Sequence, residues 1–333
     1  MTRNALKRTA QTVAAVIVLA LLVASAIYYS YDSSRASSDQ NGEVVTLKIA
    51  YLPITHALPL FKAKEDLEAS NSNVRVELVK YGSWNELSDA INAGRVDGAS
   101  MLIELAMKAR EQGIDLKMEA LGHRDGNVVV GAADIQSAAD LRGKTVAIPS
   151  KLSSHNILMR QYLVAGGVDP SEVNFVEMTP TEMPSALQSG QIAGYCVAEP
   201  FGAKAITLGT GHVLSESGSL WPDSVCCGIV VNADATADKQ AAVDAFVDAY
   251  KQAGTELDAD HDDELRIAVD YLGQDEETAK TSIQWINFSN LDVSRDAYDD
   301  LSREIVDNGL PNPRPPTMTS SHSRTDAAVL KGK

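Results

Sequence analysis

The chain has 333 residues, 44% of them hydrophobic and 22% charged, with a formal net charge of −16. That length suits about two globular domains. The acidic balance argues against nucleic acid and anionic lipid as partners, because both repel such a surface. The cysteines, Cys196, Cys226 and Cys227, are too few for a disulfide framework.

The first basic residues, Arg3, Lys7 and Arg8, precede an apolar run from Val13 to Tyr31. A positive flank before an apolar run is the pattern of a secretory signal or signal anchor, here residues 1–31. Ala24-Ser25-Ala26 offers a cleavage site, yet the run approaches the roughly 20 residues that span a bilayer. Either way the body of the protein is expected outside the cytoplasm, on the cell surface or in a periplasm. Residues 32–43 are rich in Ser and Asp and read as a flexible tether.

The body begins with a strand over residues 44–51, a helix over 57–69 and a strand over 74–79. A helix opened by Ser83 and closed at Gly94 follows, then a strand ending near Met101, a helix near 107–112 and a strand over 116–121. Residues 123–127 read as a loop and 128–132 as a strand. This β-α-β-α rhythm calls for a mostly parallel sheet covered on both faces. Residues 44–132 are expected to form the first part of one lobe. A second lobe, 133–227, repeats the rhythm: a short helix at 138–144, a strand at 145–149, a helix at 153–165, a strand at 173–178, a helix at 183–188 and a strand at 194–198. Residues 228–310 return to the first lobe as one strand and a run of helices. The proline-rich residues 311–333 read as an irregular tail.

One phrase occurs in both lobes. Ala90-Ile91-Asn92-Ala93-Gly94-Arg95-Val96-Asp97-Gly98 is echoed by Ala186-Leu187-Gln188-Ser189-Gly190-Gln191-Ile192-Ala193-Gly194. Each copy reads as a helix end, a glycine able to take the left-handed conformation, and the start of a buried strand. Two copies of one unit suggest two similar lobes, and paired lobes leave a cleft for a small ligand.

In open α/β sheets ligands bind beyond the carboxyl ends of the strands. The residues placed there that can contact a polar solute are Thr55, His56, Ser83, Trp84, Asn127, Ser154, His155 and Glu199. Ser154 and His155 open a helix whose free N–H groups and dipole attract an anion or a carbonyl oxygen. Ser83 and Trp84 also suit a helix cap and core packing, and Glu199 a structural salt bridge. A carboxylate at the cleft repels a bare anion unless a cation or proton compensates. Glu199 therefore suits a ligand carrying an amine or ring N–H, or an anion accompanied by a metal.

Other signals carry little. No C-x-x-C zinc spacing occurs, so the cysteines read as buried small hydrophobes, with a bridge from Cys196 to Cys226 or Cys227 as the alternative. The acidic run from Asp258 to Glu264 lacks the turn glycine of a calcium loop. Gly209-Thr210-Gly211 lacks the third glycine of a dinucleotide site, and there is no P-loop, H-E-x-x-H or G-x-S-x-G.

Tyr51-Leu52-Pro53-Ile54-Thr55-His56, Leu141-Arg142-Gly143-Lys144-Thr145-Val146-Ala147 and Tyr195-Cys196-Val197-Ala198-Glu199-Pro200-Phe201 resemble the solute-binding proteins of nitrate, sulfonate and taurine ABC importers. Binders of thiamine-pyrimidine precursors belong to the same wider group. The resemblance implies a two-lobed α/β fold of the type II periplasmic-binding-protein kind, each lobe a mostly parallel sheet flanked by helices. It implies that Trp84, His155 and Glu199 line the pocket, as their counterparts do in the nitrate and bicarbonate branch. The sequence departs from that branch in having no lysine within residues 223–227. The function so implied is capture of a small polar solute, with no catalysis, no cofactor and no metal, and delivery to an ABC permease and its ATPase. Two alternatives are a pyrimidine-synthesis-like enzyme on this fold, using His155 and Glu199 as acid and base, and an extracytoplasmic sensor lobe.

Overall fold

The structure is a computed structural model that describes residues 44–310 and 317–318. The chain divides into residues 1–44 and 45–333, and every described element belongs to the second unit. The expected signal or anchor and tether lie outside the described residues, as does the tail apart from residues 317–318. Among the described residues no helix is long and apolar enough to cross a membrane.

Two sheets form the core. The first contains β1 (Val45–Tyr51), β2 (Val74–Lys80), β3 (Gly98–Leu102), β4 (Leu116–Leu121), β11 (Cys227–Asn232) and β13 (Thr317–Met318), in the order β13-β4-β11-β3-β1-β2. The second contains β6 (Asn127–Ala132), β7 (Thr145–Ile148), β8 (Asn174–Glu177), β9 (Gly194–Ala198) and β10 (Gly211–Glu216), in the order β10-β6-β9-β7-β8. A short antiparallel pair, β5 (Arg124–Asp125) with β12 (Ile286–Asn287), stands apart.

The two sheets share one plan. In each, three parallel strands lie beside one reversed strand: β11 runs antiparallel to β3, and β6 runs antiparallel to β9. A strand that follows a helical crossover enters its sheet from the same end as its predecessor. β6 and β11 arrive from the other lobe with no such crossover, so they enter from the opposite end. The expectation that 128–132 belongs to the first lobe is corrected here. β6 hydrogen-bonds to β9 and β10, so the chain leaves the first sheet at residues 122–126.

The repeated phrase does what its residues predict. α2 (Trp84–Asn92) and α5 (Met183–Gln188) end just before Gly94 and Gly190, whose φ angles are 64° and 72°. The left-handed turn then feeds β3 and β9, both buried along their whole length. α2 buries Trp84, Leu87, Ala90 and Ile91, one face of a 3.6-residue period. Asp97 anchors the first copy: it accepts the Lys48 N–H at 2.8 Å and pairs with Lys239 at 2.8 Å.

The remaining helices cover the sheets: α1 (Leu58–Ala69), α3 (Ile103–Glu111), α4 (Ser154–Ala165), α6 (Phe201–Thr207), α7 (Ser217–Leu220), α8 (Gln240–Ala259), α9 (His261–Leu272), α10 (Glu276–Ser282) and α11 (Arg295–Asp307). α1 packs along α8, and both contact β2.

Candidate functional site

The reversed strands build the site. Because β6 and β11 start where β9 and β3 end, their first residues face the ends of those strands. Register pairs Asn127 with Ala198, beside Glu199, and Cys227 with Leu102, beside the first turn of α3. The crossovers that feed the reversed strands are tied together. Gly122 N–H donates to the Cys227 carbonyl at 2.7 Å, and Asp125 N–H to the Ser224 carbonyl at 3.1 Å. The Asp125 carboxylate accepts the hydroxyls of Ser217 and Ser224 at 3.4 and 3.2 Å.

Glu199 is fully buried. The Ala203 N–H donates to its Oε2 at 3.0 Å, while Oε1 has no protein partner. Burial pushes its pKa up to about 8, against the opposing pull of the Ala203 and Gly202 backbone N–H groups. Burial thus favours the protonated, uncharged form of Glu199. Gly202 makes this placement possible: a Cβ there falls 2.3 Å from Glu199 Oε1 and 2.2 Å from Val128 Cγ2. Asn127 and Ser154 are also buried, and neither the Asn127 amide nor the Ser154 hydroxyl has a protein partner. His155, fully buried at the start of α4, leaves Nδ1 unpartnered, with Nε2 4.0 Å from Cys226 Sγ.

The other expected residues divide. Thr55 gives its backbone N–H to the Glu199 carbonyl at 2.8 Å. Its hydroxyl donates to Ser282 and accepts from Gln274, both at 3.2 Å, which ties it to α10 and the loop before it. Ser83 caps α2 through the Glu86 N–H at 3.3 Å. Ser83 and Trp84 line a cavity of about 210 Å³ with Pro149, Glu177, Thr179 and Pro180 of the second lobe. Trp84 is buried and its indole Nε1 has no protein partner. His155 and Glu199 do not line that cavity.

His56 turns to a different set of neighbours. Its Nε2–H donates to the Gly126 carbonyl at 2.9 Å, leaving the Nδ1 lone pair 3.7 Å from Cys227 Sγ. Burial, with His123 beside it, lowers its pKa to about 4, so the ring is neutral. The His123 ring lies tilted against it with centroids 3.5 Å apart, and His123 also meets the Cys226 thiol. Cys226 Sγ lies 3.7 Å from Cys227 Sγ. One donor atom from each of His56, His123, Cys226 and Cys227 lies within 4.8 Å of all the others, and all four residues are buried. Burial raises the Cys226 pKa, but contact with Cys227 and with His155 and His123 outweighs it and draws the thiol well below its ordinary value. Burial, reinforced by Cys226, pushes Cys227 the other way. Glu104 is buried at the start of α3; burial and the nearby Cys226 hold its pKa well above the usual range, against the pull of the Glu104 and Ser154 backbone N–H groups.

Sequence reasoning passed over Glu104, His123, Cys226 and Cys227. No disulfide joins the cysteines, and Cys196 is buried apart from the other two. All three are buried in the core, as the sequence reading has them, and Cys226 and Cys227 in addition turn toward histidines. The usable signal was a vicinal cysteine pair together with three histidines at strand ends.

The NMT1-like family model matches residues 40–271. Among curated proteins, the nitrate import ATP-binding protein NrtC of Synechocystis is 29% identical over 54% of this chain and 30% of its own length. The nitrate/nitrite binding protein NrtA of Nostoc is 26% identical over 54% of this chain and 47% of its own. The matched region thus spans between about a third and a half of these relatives. Among solved structures, the ligand-binding component of an ABC-type import system from Staphylococcus aureus, with zinc bound, is 33% identical, with a TM-score of 0.79 over 83% of this chain and 97% of its own. The periplasmic nitrate-binding protein NrtA from Synechocystis shares the fold at 21% identity, with a TM-score of 0.68 over 87% of this chain and 86% of its own.

Proposed function

The chain belongs to the NMT1-like family, and from that premise we propose that it is the extracytoplasmic solute-binding component of an ABC importer. Its lobes close over a small polar solute at their junction and present it to a membrane permease driven by an ATPase. One observation carries the reading. Glu199 Oε1, the Asn127 amide, the Ser154 hydroxyl and His155 Nδ1 are buried where the strand ends meet, and none has a protein partner. Buried polar groups left unpaired cost free energy, and a bound solute is what repays them.

The same groups favour one ligand class. Among the described residues no lysine or arginine is buried. A bare nitrate, bicarbonate or sulfonate therefore finds no fixed cation there. A protonated Glu199 and a free Asn127 amide suit a flat, uncharged solute with both N–H donors and ring acceptors, of which an aminopyrimidine is the type. An anion escorted by a cation is the second possibility, supported by the zinc in the Staphylococcus relative.

A thermal-shift screen of aminopyrimidines, alkanesulfonates, nitrate, and bicarbonate with calcium tests this. A solute at a hundred times its Kd adds about 2.7 kcal/mol to stability. The expected result is a shift with an aminopyrimidine that Asn127→Ala and Glu199→Ala both abolish. A shift with metal-free nitrate or sulfonate alone overturns the ligand class. Chemical turnover of a bound solute overturns the transport reading.

A further inference from the structure

We propose that His56, His123, Cys226 and Cys227 form a binding site for one thiophilic divalent cation of the zinc class, built on the two crossovers between the lobes. The site goes beyond the solute reading and stands without it. Its geometry is the first argument. Tetrahedral zinc with bonds of about 2.0–2.3 Å has ligand-to-ligand edges of about 3.3–3.8 Å. The Cys226–Cys227 sulfurs and the Cys227 Sγ–His56 Nδ1 pair both stand 3.7 Å apart. Successive strand residues point to opposite faces, so two adjacent thiols converge only because Cys226 precedes β11 and Cys227 begins it.

The surroundings are the second argument. A histidine that ligates a metal gives its other ring N–H to a carbonyl or carboxylate, which fixes the tautomer and aims the free nitrogen. His56 has this arrangement, with Nε2–H on the Gly126 carbonyl and Nδ1 facing the sulfurs. His123 is fully buried, and the polar group its ring meets is the Cys226 thiol, so its donor atom joins the same cluster.

Two thiolates and two neutral imidazoles around a dication give an uncharged centre, which limits the cost of burying it. The two thiol protons leave to the solvent as the metal enters, and nothing is oxidised or reduced. The nitrogen–sulfur set excludes calcium and magnesium, which take oxygen ligands. His123 stands beside the first crossover and the cysteines close the second, so the ion pins both to His56 at the end of β1.

The test uses the full chain, reduced and freed of metal with a chelator, then titrated with zinc and, separately, cobalt. The expected outcome is one metal per chain by elemental analysis, release of two protons per zinc, and thiolate-to-cobalt charge-transfer absorption with tetrahedral ligand-field bands. Cys227→Ser and His123→Gln are expected to weaken uptake on the order of a hundredfold, while Cys196→Ala leaves it unchanged. Circular dichroism and melting in chelator check that each variant is folded. If one variant fails to fold, the other decides. Uptake equal in wild type and folded variants, cobalt spectra without thiolate absorption, or recovery of a Cys226–Cys227 disulfide that takes up no metal each overturn the proposal. Metal is counted without added solute, so failure here and failure of the solute screen are separate results.

Discussion

Replacing Glu199 with glutamine isolates the protonation of one buried acid. The fold raises its pKa from 4.5 to about 8. A shift of that size corresponds to roughly 5 kcal/mol between its charged and neutral forms. The sign follows from which form the fold prefers. Because the folded value is raised, Glu199 is least costly below its unfolded pKa, and stability is lost as pH rises toward 8, after which the loss levels off. Glutamine keeps the shape, lets its carbonyl accept the Ala203 N–H, and does not titrate. Between pH 5 and pH 8 the wild type is therefore expected to lose about 3–4 kcal/mol relative to Glu199→Gln. The difference between proteins is the quantity to measure, because His56 moves the other way. Its pKa is depressed to about 4, so its contribution is present above pH 6.5 and lost as pH falls toward 4. Urea unfolding of both proteins without metal or solute, at several pH values from 5 to 9, reads the difference directly. Curves that stay parallel across that range mean that Glu199 ionises normally, and the picture of a neutral donor in the site then fails.

Three further substitutions probe the frame around that acid. Gly202→Ala drives a methyl to 2.3 Å from Glu199 Oε1 and 2.2 Å from Val128 Cγ2. It should destabilise the protein by about 1–3 kcal/mol by urea unfolding and weaken the solute shift. Trp84→Phe keeps most of a buried ring but deletes an unpartnered indole N–H. If Nε1 donates to the solute, affinity by calorimetry falls about tenfold, and unchanged affinity removes Trp84 from the site. Asp97→Asn breaks the pair with Lys239 while keeping an acceptor for the Lys48 N–H. Unfolding should show a loss of about 1–3 kcal/mol, with solute affinity unaltered because Asp97 lies at the opposite end of β3 from the site.

The alternating strands and amphipathic helices were legible because each buries one face against one layer. β3, β4, β9 and α5 lie within a residue of where the pattern put them. α6 and β10 were missed. β10 is a half-buried edge strand with no sustained apolar run, and the glycines beside it read as loop. For β6 the pattern was visible and its partner was not. A continuously buried run such as Asn127–Gly131 looks the same in either sheet, and local sequence says nothing of where the chain has crossed. The burial of the cysteines was legible, but their neighbours were not, for the same reason. Spacing along the chain shows two adjacent thiols, while their convergence on His56 and His123 depends on β11 being reversed.

Reversal of one strand in each sheet is thus what gathers these residues into one candidate site. In a fully parallel sheet, the residues beyond the strand ends are loops that lead into helices, and they reach the ligand from one direction. A reversed strand adds chain ends that arrive from the other lobe. Gly126 shows the consequence: its carbonyl accepts both the His56 Nε2–H of the first lobe, at 2.9 Å, and the Glu199 N–H of the second, at 3.2 Å. One crossover carbonyl therefore orients the imidazole offered to the metal and fixes the backbone of the acid offered to the solute. The two groups are thus joined through a single peptide unit. Filling the cation site should accordingly alter solute affinity, and by reciprocity the solute should alter zinc affinity by the same factor. Calorimetric titration of each ligand in the presence and absence of the other measures that factor, and a value of one in both directions means that the shared carbonyl conveys nothing.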